Sequence, residues 1–225
     1  MGEVISVISG KGGTGKTTVC AAVASCLAAE GSRVLCIDAD IGLRNLDSAL
    51  GMAELPVLAF TEVLEGNFTL MDATAHPELD KLFLLTAPSR AGDRSVSPAA
   101  FAMLLHDARE QFDYVLIDSA AGIGDSFRLA TDSADRCVIV CTSDPACLRD
   151  AACTADLLEL RGHRDVSLVV NRVNPKMFSR MKLTVDDIMD TVGLPLLGLV
   201  PEDAEVVLAA AQGTALIFAA EDGAA

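Results

Sequence analysis

No apolar stretch in the 225 residues approaches the ~18 that a membrane-spanning helix requires; runs such as 206–211 are far shorter. The N-terminus has neither a basic leader nor a cleavage site and runs straight into a strand-like segment at 4–8, so the expected compartment is the cytoplasm. Basic charge is scarce: 17 Lys and Arg stand against 32 Asp and Glu, a net charge of −15. After Lys182 there is no basic residue at all. Nucleic-acid binding needs a basic footprint, so direct DNA binding is disfavoured. The seven cysteines form no CxxC pair and are expected as free, buried thiols. The histidines at 76, 106 and 163 are scattered without HxxxH or HExxH spacing, which argues against a zinc site and for surface positions. No GxSxG elbow is present.

What is present is a chain that is 51% hydrophobic and long enough for one well-formed core. Short apolar runs at 4–8, 34–37, 82–85, 114–117, 137–141, 166–170 and 196–199 read as strands. Several are Val/Ile-rich throughout, as strands buried on both faces are. Helical patterns fall between them at 16–29, 98–110, 145–160 and 204–211. Prolines suited to a first helical turn open the second and third. In the first, Val19, Val23, Cys26 and Leu27 are expected to make the apolar face. This alternation predicts one α/β domain over 1–225, a doubly wound, mostly parallel sheet flanked by helices. Ligands of such sheets bind beyond the carboxyl ends of the strands.

The unusual residues fall there. After the first strand, Gly10-Lys11-Gly12-Gly13-Thr14-Gly15-Lys16-Thr17-Thr18 has the form GxxxxGK[ST] and leads into a helix. Its glycines let successive N–H groups turn toward phosphate oxygens, and the helix adds its N-terminal dipole. Lys16 would reach the β- and γ-phosphates, and the Thr17 hydroxyl would ligate Mg²⁺. Strand two ends at Asp38 and Asp40, two residues apart and so on one side of an extended chain. Beside a phosphate loop such a pair reads as metal water-shell plus attacking-water positioning; the alternative is a pair of caps on a turn. Asp118 follows the apolar strand 114–117 in the Walker B arrangement, in the Mg²⁺ shell, with the Gly122 N–H available to the γ-phosphate. Asn171 closes the strand 167–170, and its amide offers the donor and acceptor that match an adenine edge; a turn-forming Asn is the alternative. Arg172, Lys176, Arg180 and Lys182 read as a loop, either solvated or an anion patch.

Lys11 is a second lysine that needs an anion of its own. GKGGTGKTT resembles the deviant Walker A loop of the ParA/MinD ATPases, and the likeness continues through IDADIGLRNLD, DSAAGIG, TSDPACLRDA and residues 171–175 and 199–203. Those stretches are most similar to the septum-site-determining branch of the family. Two positions depart from it: Ala120 replaces a proline and Gly124 a glutamate. The resemblance implies an ATP/ADP- and Mg²⁺-dependent switch in division-site placement. In it Lys11 crosses a homodimer interface to the partner's nucleotide, Asp40 orients water, and Asn171, Arg172 and Pro201 hold the base. Lys11, Lys16 and Asp40 would be the catalytic groups. Implied partners are a MinC-like division inhibitor and a MinE-like or other topological activator, with turnover slow alone and raised by the activator. The family also implies peripheral residence at the inner face of the membrane in the ATP state through a basic amphipathic C-terminal helix. Residues 214–225, TALIFAAEDGAA, carry no base, so that helix is expected to lie beyond this chain or to be replaced by an adaptor. The alternative within the family is a ParA-like partitioning ATPase or a flagellar-number regulator. An iron–sulfur ATPase with a cluster between subunits, and a nucleotide-binding adaptor without turnover, fit less well.

Overall fold

A computed structural model describes residues 1–41, 43–88 and 96–219. Eight strands, β1 (Glu3–Ile8), β2 (Val34–Asp38), β3 (Thr74–Ala75), β4 (Leu82–Leu85), β5 (Tyr114–Asp118), β6 (Arg136–Cys141), β7 (Val166–Val173) and β8 (Leu196–Pro201), form one sheet. Their order is β3-β4-β2-β5-β1-β6-β7-β8. All pairs are parallel except β3 with β4. The expected doubly wound α/β architecture is therefore the observed one.

Both faces of the sheet are covered across the central strands, which is why those strands carry continuous apolar runs rather than alternation. In β2, Leu35 and Ile37 join one buried cluster while Val34 and Cys36 join another on the opposite face. Helix α1 (Lys16–Ala29) packs on the second face. The first face carries α4 (Pro98–Gln111), α5 (Asp125–Thr131), α6 (Pro145–Leu160) and α8 (Val185–Val192). The short helices α2 (Leu46–Ala49) and α3 (Phe60–Leu64) lie between β2 and β3, α7 (Pro175–Met181) precedes α8, and α9 (Ala204–Gln212) and α10 (Leu216–Ala219) follow β8. The proline-opened helices begin where the sequence places them. Asp144 caps α6 by accepting from the Ala146 and Cys147 amides, each at 3.1 Å, with Pro145 in the first turn.

Four expectations need correction. In α1, Val23 and Cys26 are exposed, and the buried stripe is Val19, Cys20, Ala24 and Ala28. Small side chains let the helix approach the sheet, so of the four expected residues only Val19 is buried and Leu27 partly so. The cysteines are all free, but Cys26 and Cys153 are exposed rather than buried. His76 is not a surface histidine: its Nε2 lies 2.8 Å from the Leu50 carbonyl, and Nδ1 accepts from the Glu78 and Leu79 amides, each at 3.1 Å. The basic segment 172–182 is not a loop, because α7 fills most of it, started by the Asn174 side chain accepting from Lys176 and Met177. The expectations on Gly42 and on residues 220–225 lie outside the described residues. No described helix is long and apolar enough to cross a membrane.

Candidate nucleotide site

β1 ends at Ile8, and the chain crosses the top of the sheet before α1 begins at Lys16. Two glycines show why this loop has its shape. Gly10 runs under α6 so closely that a Cβ would sit 2.6 Å from the Asp150 carbonyl oxygen. Gly15 adopts φ +87°, and a Cβ there would collide with the Asn171 amide. Gly15 is the N-cap of α1 and provides no side-chain cap. The first amides of the helix therefore keep no side-chain acceptor, the arrangement that suits a bound anion.

Lys16 and Asp118 form a buried ion pair. Asp118 accepts a second bond, 2.7 Å, from the Thr17 hydroxyl, and Lys16 Nζ lies 3.4 Å from Thr17 Oγ1. Burial pushes the Asp118 carboxyl up to about 6, against the pull of Lys16 and Thr17; nearby Asp38 adds a smaller upward push. Asp38 is the direct cross-strand neighbour of Asp118 in the β2–β5 register. Its Oδ1 accepts from the Asp40 amide at 2.9 Å, and its Oδ2 from the Asn45 and Leu46 amides, each at 3.1 Å. Burial raises its pKa and those three bonds oppose the rise. Asp38 thus holds residues 40, 45 and 46 and starts α2, the turn-capping alternative that the sequence left open.

One cleft of about 370 Å³ is lined by the loop from Gly12 to Thr18, by Asp40, and by Asn45 and Ser48 across from it. A second, of about 330 Å³, shares Gly15, Thr18 and Arg172 with the first and is walled by Val19, Val23, Asn171, Val200 and Pro201. Val23 is exposed on α1 because it faces this cleft. The phosphate-loop residues and the base-contact candidates are therefore joined in one bipartite site. Arg172 stands at the junction with φ +55°, an unusual conformation for a side chain of its size. Asn45, Ser48, Val19 and Val23 were not picked as site residues from the sequence; nothing in their types marks them.

Two residues, Gly122 and Asn171, sit differently from expectation. The Gly122 amide donates to the Ser9 carbonyl at 3.0 Å, so it is engaged within the protein rather than free for a γ-phosphate. Asn171 donates through Nδ2 to the Thr14 carbonyl at 2.8 Å and accepts from the Arg172 amide at 2.9 Å. One donor and one lone pair of its amide are thus already used. Lys11 lines neither cleft; it is half exposed, with Nζ 3.9 Å from Asp144.

The residues present fit a Mg²⁺-nucleotide. The Thr14 hydroxyl is buried without a hydrogen-bond partner in the wall of the first cleft. Thr17 and Asp118 offer hard oxygen donors side by side, suited to a cation that keeps most of its water and phosphate ligands. Among the described residues no group of three or more His, Cys, Asp or Glu could hold a metal by itself.

The family of CobQ/CobB/MinD/ParA nucleotide binding domains matches residues 5–217. Septum site-determining protein MinD of Synechocystis is 36% identical over 220 residues, covering 97% of this chain and 83% of that protein. The chain belongs to the MinD family. It is a nucleotide-binding ATPase of septum-site determination. The MinD protein of Bacillus subtilis is likewise 36% identical, over 95% of this MinD-family chain and 81% of its own length. Among solved structures, the MinC:MinD cell division complex of Aquifex aeolicus superposes with TM-score 0.88 at 34% identity, covering 96% of this chain and 88% of that one. MinD of Pyrococcus horikoshii complexed with Mg-ADP gives 0.83 at 26%, with coverages of 99% and 90%.

Proposed function

We propose that this MinD-family chain is an ATP-dependent dimerising switch in which Lys11 acts across the dimer interface. The position of Lys11 carries the reading. Lys16 is buried against Asp118, whereas Lys11 stands outside both clefts, half exposed, with a carboxylate at the edge of ion-pair range. A lysine so placed is available to a nucleotide held by another subunit, as an arginine finger is.

The other residues divide the remaining work. Lys16 exchanges Asp118 for the β- and γ-phosphates when nucleotide enters, and Gly10 to Thr18 surround the phosphates with backbone amides. Thr17 and Asp118 would hold Mg²⁺, with Asp38 placed to accept from its bound water. The metal supplies charge neutralisation at the phosphoryl oxygens. Asp40, whose amide donates to Asp38, orients the attacking water. The Gly122 amide leaves Ser9 for the γ-phosphate in the ATP state. Asn171, Arg172 and Pro201 contact the base. Hydrolysis then loosens both carboxylate-bearing segments and the dimer parts.

The Aquifex MinC:MinD complex supports a MinC-like division inhibitor as partner. A MinE-like or other topological activator raises a turnover that is slow alone. The ATP form is peripheral at the inner membrane face, through an adaptor or a segment outside the described residues.

The test is solution mass by light scattering of Asp40→Ala with Mg²⁺-ATP and with Mg²⁺-ADP. A dimer in ATP only, lost when Lys11→Ala is added, is expected. A dimer that survives Lys11→Ala, or a monomer in both nucleotides, overturns the trans-lysine switch for this chain. Unchanged hydrolysis in Asp40→Ala would remove Asp40 from the mechanism.

A further inference from the structure

A groove of about 540 Å³ runs along α4 on the sheet face opposite α1, apart from the nucleotide clefts. One wall is Val63, Leu64, Phe68 and Leu70; the other is α4, through Met103 and Leu104. Leu70 and Leu104 are buried in its floor, while Phe68 is 47% and Met103 69% exposed. Two large apolar side chains thus stand out at the rim of an apolar trough, which is how docking surfaces differ from scattered surface apolars.

The groove has a charged end. Asp107 and Glu110 line it near the C-terminus of α4, and among the described residues no lysine or arginine does. Two bases at the C-terminal end of α4 have other partners. Arg109 pairs with Asp135, and Arg33 lies between the Phe83 and Phe112 rings, 5.2 and 5.0 Å from their centroids. The C-terminal dipole of α4 adds to the two carboxylates. A cation at that end is therefore favoured, and an anion is not.

We propose that this groove binds an amphipathic helix of another protein, with Lys or Arg at the end that overlies Asp107 and Glu110. The lining of α4 runs from Ala100 to Gln111, about 17 Å at the helical rise, or three turns of a ligand helix. Three turns present apolar residues at i, i+3 or i+4 and i+7 to the trough. Residues 183–219 carry no base to meet the carboxylates. An anionic lipid surface would be repelled by the same groups.

The test uses the full chain and a fluorescein-labelled synthetic helical peptide, with leucines at that spacing and two lysines at one end. Anisotropy is expected to rise on titration with the protein, and to fall with added salt. The same peptide with glutamates for lysines should not bind. Asp107→Asn with Glu110→Gln should weaken binding roughly threefold to tenfold, the range of partly exposed charge pairs. Met103→Ser with Phe68→Ser should weaken it roughly tenfold or more through lost apolar burial. Leu160→Ser, at an exposed apolar position on α6, should leave it unchanged. Equal binding of the glutamate peptide, or wild-type affinity in both groove variants, would overturn the proposal. So would a protein–protein association without peptide that Met103→Ser abolishes, because the occupant would then be a second copy.

Discussion

Asn171 and Thr14 are 157 positions apart, yet the Asn171 amide donates to the Thr14 carbonyl at 2.8 Å in the interior of the site. Immediately beside that bond, Gly15 leaves no room for a Cβ against Asn171. The end of β7 therefore braces the phosphate loop directly, and the residue expected to read the base also sets the loop's path.

From this relationship Asn171→Ala should weaken binding of every nucleotide, not merely relax selectivity for adenine. The variant leaves a buried carbonyl without its donor, a loss of about 1–3 kcal/mol, or roughly thirtyfold in affinity at the middle of that range. Titration of ADP and GDP by calorimetry checks this. A change confined to the ADP-to-GDP ratio would return Asn171 to a base contact only.

The Gly15 backbone gives an independent check on the same contact. Gly15→Ala places a side chain at φ +87° and against Asn171, with a strain of about 1–3 kcal/mol at the backbone alone. Nucleotide affinity should fall sharply. Because the two positions touch, the double variant Gly15→Ala with Asn171→Ala should lose less than the sum of the single losses. Strict additivity would show that the collision is relieved elsewhere.

Asp38 should prove structural as well as catalytic. Its carboxylate takes three amides from residues 40, 45 and 46. An asparagine has one carbonyl oxygen and must turn its NH₂ toward one of those donor sets. Asp38→Asn should therefore lose about 1–3 kcal/mol without any nucleotide present, lowering Tm by about 2–4 °C for each kcal/mol in a chain of this size. Thermal unfolding of the nucleotide-free protein measures it. An unchanged Tm would leave Asp38 with its proposed metal-shell role alone.

How much of this was legible in the sequence follows from the range of each signal. The phosphate loop and the start of α1 could be read because their signals are local: glycines, then Lys16 and Thr17, then a helix. Pro145 and Pro98 placed two helix starts for the same reason. The parallel strands announced themselves by apolarity on both faces. The Asn171 brace could not be read, since its acceptor is a main-chain carbonyl far away in the chain. Nor could the buried side of α1, where alanines pack on the sheet and Val23 turns to the cleft. The two-residue strand β3 exists only through its pairing with β4, which no local pattern encodes.

His76 provides a pH dependence whose sign is determined by its bonds. Nδ1 accepts from two amides, so it must be unprotonated, and Nε2 carries the proton toward the Leu50 carbonyl. Burial lowers its pKa from the ordinary 6.5; the Leu50 carbonyl and Glu78 pull weakly the other way. The folded protein thus binds a proton less readily than the unfolded chain. Between the lowered value and 6.5 the unfolded state holds more protons, so stability falls as pH falls through that window and is level above it. His163, whose pKa burial also lowers, contributes in the same direction. The affected contacts lie behind α2: Leu50 ends that helix, and the Phe218 ring of α10 is 6.0 Å from the imidazole. Asp118 and Asp38, whose pKa values burial raises, push the other way as pH falls, so the histidine is read from a difference. From pH 7.5 down to about 5 the urea midpoint of the wild type should fall relative to that of His76→Asn, which keeps the slopes due to His163 and the carboxyls. A variant whose midpoint runs parallel to that of the wild type would show that His76 does not titrate in this range.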